Sequence, residues 1–379
     1  MDSAFARASY ALLLLLLYLF AGGSTGVRAA TPIQAGEPTF EEYDPPSSLV
    51  VPENPVTRAK YPFVDIHNHQ WEMPTQDLDA LVADMDALNM GVMVNLSGRG
   101  RGEEGFLEGS LTNVRLHHPE RFLVFTNISF DEIDEPGWGK RTARQVELDV
   151  AKGADGLKIY KSLGLRVKDA SGDRVPVDDP RIAPVWDKCG ELGVPVLIHS
   201  ADPKQFWEPW DKNNERWLEL KQKPERKQDP SYVTFEQVLA EQHNVFAKHP
   251  KTQFINAHMG WLGGDLKRLG KLLDRYPNVM VEIGAVLAEL GRQPRFARAF
   301  MERYQDRVLF GKDAWAPEEY YVYFRVLETA DEYFDYYRKR HAYWKMYGLD
   351  LPDEVLRKLY YKNALRLFPQ LDRSLFPRD

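Results

Sequence analysis

Residues 63–70 read FVDIHNHQ, an apolar, β-branched run that ends in two histidines separated by one residue. Successive side chains of a strand point to opposite faces, so His67 and His69 share a face at the strand's C-terminal end. Two neighbouring imidazoles make poor core. They make a good start on a metal site if the rest of the chain brings further ligands to the same place.

Seven more runs of this kind follow: GVMVNLS, FLVFTNIS, GLKIYKS, PVLIHS, QFINAHMG, VMVEIGA and VLFGKDAW. Amphipathic stretches between them predict helices over 77–90, 105–117, 140–152, 181–192, 235–248, 265–276 and 294–305. Several end in Gly or Pro just before the next strand (LNMGV, AKGADG, ELGVP, KHPKT), which stops a helix. Near-continuous apolar strands alternating with helices predict a parallel sheet covered on both faces. Eight such units predict an α/β fold, a (β/α)8 TIM barrel. The competing doubly wound sheet lacks its fingerprint, since no G-x-G-x-x-G follows the first strand.

Two connections are too long for plain βα loops: 163–180 after strand four and 201–234 after strand five. Both leave the strand ends where barrels carry their sites, so both are expected to act as lids. The second holds Phe206, Trp207, Trp210 and Trp217, and Trp207 is expected to face a bound substrate. The aromatic-rich stretch 317–368 predicts a helical C-terminal tail whose tyrosines suit packing or a homodimer interface.

With 379 residues, 44% of them hydrophobic, the chain can build one large core, and a net charge of −7 without a basic stripe argues against nucleic acid as a partner. Residues 1–30 read as a signal peptide. The apolar block 10–21 falls short of the roughly 20 residues that span a bilayer, and small residues follow it, which predicts cleavage near Ala29 or Ala30 and a secreted or periplasmic protein. An uncleaved anchor is the alternative. Residues 31–60, rich in Pro, Glu and Ser, read as an extended leader, and 61–379 as one barrel domain. Cys189 is the only cysteine, so no internal disulfide forms, and its helical setting predicts a buried, inert thiol. Asn95 and Asn127 match glycosylation acceptors, but their strand-end positions predict burial.

The polar residues that finish the strands are the informative ones. Strand one ends in His67 and His69, strand four carries Lys158 and Lys161, strand five ends in His199 and strand six in His258. Strand seven adds Glu282, and strand eight Asp313. A barrel gathers all of these at one mouth. His67, His69, His199 and Asp313 then supply three imidazoles and a carboxylate to a metal, and His258 stands by as an acid or base. The remaining histidines (117, 118, 243, 249 and 341) fall in helical stretches. Plainer roles exist: Asp313 as a helix N-cap, Lys158 and Glu282 as a buried pair.

A His-x-His on strand one, single histidines on strands five and six, and an Asp after strand eight resemble the amidohydrolase superfamily of metal-dependent barrels. VLFGKDAW and the closing YYKNALRLF (residues 360–368) resemble its amidohydrolase-2 branch, which includes aminocarboxymuconate-semialdehyde decarboxylase, resorcylate decarboxylases and pyrone-dicarboxylate lactonase. The resemblance runs from residue 63 to residue 368. It implies that His67, His69, His199 and Asp313 bind one divalent ion, zinc or else manganese. It implies too that His258 is the catalytic base or orients water, with Asp313 shuttling a proton. Lys158 lies near the place where binuclear relatives carry a carboxylated lysine bridging two ions; if it is not carboxylated, it binds a substrate anion or pairs with Glu282. The expected activity is hydrolysis of an ester, lactone or amide by hydroxide held on the ion. The alternatives are non-oxidative decarboxylation of an aromatic or unsaturated acid, and a barrel that binds a small molecule without turnover. Arg292 with Arg295, or Arg99 with Arg101, are candidates for gripping a substrate carboxylate.

Overall fold

The computed structural model describes residues 36, 38–39, 41–338 and 344–378. The apolar N-terminal block, the expected cleavage site and His341 lie outside the described residues. The chain divides into two compact units, Met1–Val50 and Val51–Asp379. In the described part of the first, the N–H groups of Glu42 and Tyr43 bond to Thr39 O in a turn that leads into chain without regular secondary structure.

The second unit is the barrel. Its strands are β1 (Phe63–Asn68), β2 (Met90–Asn95), β3 (Phe122–Asn127), β4 (Gly156–Ile159), β5 (Val196–Ile198), β6 (Phe254–Asn256), β7 (Val279–Glu282) and β8 (Val308–Leu309). All neighbours pair parallel in sequence order. Ile66 N–H donates to Phe310 O at 3.1 Å and Asp313 N–H to His67 O at 2.6 Å, which ties β8 back to β1. Every strand residue is buried, as a sheet covered on both faces requires. This explains the near-continuous apolar runs in the sequence. Asn95 and Asn127 are buried with their strands, so neither offers a surface for a glycan.

The connecting helices are α1 (Leu78–Leu88), α2 (Phe106–His117), α3 (Trp138–Lys152), α4 (Ala183–Leu192), α5 (Phe235–Lys248), α6 (Leu266–Arg275) and α7 (Pro294–Arg303). Their ends follow local chemistry. Asp77, Thr234 and Asp265 accept hydrogen bonds from N–H groups in the first turns of α1, α5 and α6, filling donors that a helix start leaves unpaired. Gly193 closes α4 at φ 69°, a left-handed cap that glycine adopts without strain. Cys189, on the inner face of α4, is fully buried, and burial pushes its thiol up to about 12.

Both long loops are folded down. In the first, Arg174 grips Glu241 of α5. In the second, the buried Arg216 pairs with Glu219 of its own loop at 2.9 Å and with Glu289 beyond β7 at 2.5 Å. The C-terminal stretch departs from the continuous helical tail that its composition suggests. Helix α8 (Pro317–Glu328) stops, and the chain doubles back through an antiparallel bridge between Phe334 and Met346. Asp331 explains the stop: it binds Arg325 at 2.7 Å and both the backbone and the side-chain amide of Asn54. Among the described residues, helical turns resume at Asp353–Arg357 and continue to Leu367. There Asn363 donates to Val308 O and Gln305 O, sealing the lower end of β8, while Tyr360 packs on Phe63 and Phe310. Among the described residues no helix is long and apolar enough to cross a membrane.

Candidate metal centre

His67 and His69 leave β1 with ring centroids 5.4 Å apart. Their Nε2 atoms point at the same carboxylate oxygen, Asp313 Oδ1, at 3.3 and 3.7 Å. The ligand-bearing atoms of these three residues all lie within 4.8 Å of one another. Each histidine is tied on its far side. His67 Nδ1–H donates to Glu282 Oε1 at 2.9 Å. His69 Nδ1 lies 2.7 Å from Ser97 Oγ, Ser97 meets Tyr160 Oη at 3.1 Å, and Tyr160 donates to Leu96 O. Such partners orient an imidazole and leave Nε2 as the acceptor atom.

His258 is held the same way. Its Nδ1–H donates to Gly284 O at 2.8 Å and its backbone N–H to Glu282 Oε1 at 2.6 Å, so its lone pair sits on Nε2. Its ring stacks on His67 at 4.8 Å and leans on Trp261 at 4.6 Å. His199, after β5, meets the His258 ring edge-on at 4.4 Å. His199 Nε2 is buried without a hydrogen-bond partner, and burying such an atom is costly unless something else fills its lone pair. His199 stands one ring further out than the compact group of His67, His69 and Asp313.

The backbone here is strained. Ala201, His258, Met259, Trp261, Ala285 and Asp313 all have positive φ and all follow β5 to β8. Each such non-glycine residue costs of order 1–3 kcal/mol, and such strain collects where a site over-determines geometry. Space is equally exacting. A Cβ added at Gly284 or at Gly311 would come within 2.7 Å of Glu282 Oε2.

Charge completes the picture. Burial, aided by Lys158, holds His67 well below its ordinary range and His69 at about 3; burial and His258 do the same to His199. The imidazoles are therefore neutral. Burial alone would raise Asp313, but His67, His258, His69 and Lys158 outweigh it and keep the carboxylate ionised. Burial brings the Lys158 amine down to about 8 against the pull of Asp313 and Glu282. Neutral imidazoles locked at Nδ1, an orphaned Nε2 on His199 and one ionised carboxylate form a donor set that fits a metal cation.

Several expectations need correcting. Glu282 does not pair with Lys158: it is satisfied by His67, the His258 backbone and the Gly284 N–H. Lys158 Nζ instead lies 3.3 Å from His67 Nε2, inside the site. Arg99 is not free to grip substrate, because it clasps the buried Asp149 through Nε and Nη2. Arg292 lines a cavity of about 570 Å³ beside Trp261, but its guanidinium pairs with Glu215 at 3.2 Å. Trp207 donates to Val233 O and packs on Phe235, which fixes it within its loop. Asp313 caps no helix, since α8 begins at Pro317 with no side-chain cap. Ser97, Tyr160, Trp71 and Trp261 escaped the sequence reading. Only Tyr160 left a trace there, two residues after Lys158 on the same strand face.

Fold and site together define a (β/α)8 barrel whose strand ends present histidines and an aspartate at one mouth, as metal-dependent barrels do. The family model for Amidohydrolase (Amidohydro_2) matches residues 64–370, and the chain belongs to that family. No curated protein matches it at a significant level. Among solved structures it is similar to a dihydroxybenzoic acid decarboxylase from Polaromonas sp. JS666 with bound manganese and the inhibitor 2-nitroresorcinol. Identity is 14% and the TM-score 0.53, over 83% of this chain and 99% of that one. It is also similar to 2,6-dihydroxybenzoate decarboxylase from Rhizobium (16%, TM-score 0.51, 82% and 99%). An uncharacterised TIM-barrel protein from Bordetella bronchiseptica gives the same figures. At such identities these likenesses speak for the fold alone.

Proposed function

We propose that the chain is a metal-dependent hydrolase of esters, lactones or amides, exported after removal of residues 1 to about 30. The observation that carries the reading is the tautomer of His258. With Nδ1–H committed to Gly284 O, its Nε2 is a proton acceptor, which activation of water demands.

His67, His69, His199 and Asp313 would hold the ion. When bound, a divalent cation polarises a carbonyl and lowers the pKa of water from 15.7 to about 7. The residues do the rest. His258 Nε2 takes the proton of the attacking water and returns it to the departing alcohol or amine. Glu282 holds His67 and His258 in register, and Lys158 places a hydrogen-bond donor beside negative charge that develops on the substrate. The folded-down loop, fastened by Arg216, limits access of bulk water.

The test begins with metal content per chain by plasma mass spectrometry on mature protein purified without chelators, followed by a panel of esters, lactones, amides and hydroxybenzoates. One zinc or manganese per chain and hydrolysis lost by about 10²–10⁴-fold in His258→Ala, with the metal retained, is expected. Two ions would make Lys158 a bridging ligand. Release of CO2 from a hydroxybenzoate, with every ester and lactone left intact, would overturn the proposal.

A further inference from the structure

Resting on the hydrolase reading, we infer that Arg101 and Trp71 form a substrate subsite that selects esters, lactones or amides carrying a remote carboxylate. Trp71 follows β1 directly and lies nearly parallel to His69 (9°), with centroids 5.4 Å apart, and to Tyr160 (20°) at 6.4 Å. An indole would ordinarily be buried, yet 37% of this one is exposed. It continues the wall of the metal centre outward into solvent.

Arg101 comes from the loop after β2 and rests its guanidinium over the Trp71 ring, 5.1 Å from the centroid. The guanidinium is thus no further from His69 than these two contact lengths combined. The loop is shaped to hold it there. Gly100 sits at φ 56°, and a Cβ on it would strike the Phe106 ring at 2.7 Å. Glu103 accepts from the Arg101 N–H at 2.6 Å, which uses the backbone and leaves the guanidinium untouched.

Of the other arginines considered for anion binding, Arg99 is held by the buried Asp149 and Arg292 pairs with Glu215, while Arg295 borders a separate cavity that contains none of the metal-centre residues. Among the described residues no carboxylate pairs with the Arg101 guanidinium. A planar, bidentate cation parked on an aromatic face beside a reaction centre is suited to a carboxylate. Cation–π contact with exposed Trp71 is weak enough to yield to such a partner. The selected substrate therefore has its scissile carbonyl at the metal centre and an acidic group several bonds away, over Trp71.

The experiment is calorimetric titration of the zinc-loaded mature protein, made inactive by His258→Ala, with two probes of equal heavy-atom count, monomethyl terephthalate and methyl 4-carbamoylbenzoate. The quantity read is the ratio of their affinities. In Arg101→Gln this ratio should fall by about tenfold or more, the usual loss for a hydrogen-bonded charge pair; Arg101→Lys should keep part of it. Thermal unfolding of both variants shows that the fold persists. An unaltered ratio in Arg101→Gln overturns the inference, because carboxylate affinity would then come from the metal alone. If the protein with His258 intact decarboxylates a hydroxybenzoate and leaves every ester and lactone untouched, the hydrolase reading falls while the ratio still decides the role of Arg101.

Discussion

Replacing Glu282 by Gln tests the centre at its most constrained point. Glu282 is fully buried. Its Oε1 accepts from His67 Nδ1–H at 2.9 Å and from the His258 N–H at 2.6 Å, and its Oε2 accepts from the Gly284 N–H. Glutamine keeps one acceptor oxygen and puts an NH2 in the other place. At the Oε1 position that amide would oppose two donors; at Oε2 it would oppose only Gly284, so the second arrangement costs less. Neither leaves room to relax, since Gly284 and Gly311 are packed so closely that a Cβ on either would reach 2.7 Å from Oε2. The loss is one charge-assisted hydrogen bond plus one unsatisfied buried donor, together about 2–4 kcal/mol of apo-protein stability. The remaining bond to His67 is no longer charged, which should weaken metal binding by about 10–100-fold. Urea unfolding of the metal-free protein reads the first effect, and competition against a chelator of known affinity reads the second. If metal affinity stays at the wild-type value while stability falls, Glu282 is packing and does not orient His67. If neither changes, its hydrogen bonds are not those described.

Ser97→Ala removes the partner of His69 Nδ1 and should lower metal affinity by about tenfold with little effect on unfolding, read by the same chelator competition. Asp155 is half-buried, and burial raises it from 3.8 to about 6. The folded chain then holds a proton that the unfolded chain gives up, so stability is full below about pH 4 and is lost as pH rises through 6. Asp155→Asn, which can still accept from the Val124 N–H, should raise stability at pH 7 by about 1–2 kcal/mol and leave it unchanged at pH 4; equal shifts at both pH values would contradict this. Cys189, pushed to about 12 by burial, should resist iodoacetamide at pH 8 until the chain unfolds; labelling of the native protein at the rate of a free thiol would refute its burial.

The barrel was legible because its signals are local. A buried strand must be apolar along its length, a helix must stop, and Gly193 stops α4 within the residues that predict it. His67 and His69 declared themselves through a period of two that survives any loop geometry. The tail misled because its composition suits a helix, whereas Asp331, bound to Asn54 nearly three hundred residues earlier, decides where that helix ends. No local pattern contains such a pairing. The same holds inside the centre. Glu282 reads as a carboxylate in an apolar strand, and a lysine is its obvious mate; only closure of the ring brings His67 to it across 215 positions. The arginines show the converse. Arg99 and Arg101 differ by two residues in SGRGRG and are indistinguishable in sequence, yet one is neutralised by Asp149 and the other rests on Trp71.

Backbone strain is the least legible feature of all. Left-handed positions usually announce themselves as Gly or Asn, but Ala201, His258, Ala285 and Asp313 carry ordinary side chains at positive φ. Their chemistry or close packing is needed at those points, so the chain accepts strain where glycine would have been easier. Each of the four strands β5 to β8 is followed by at least one such residue. The rim that presents His199, His258 and Asp313 is therefore held in shape by the surrounding fold, and a centre whose donors are fixed in this way loses little order when a metal or a substrate arrives.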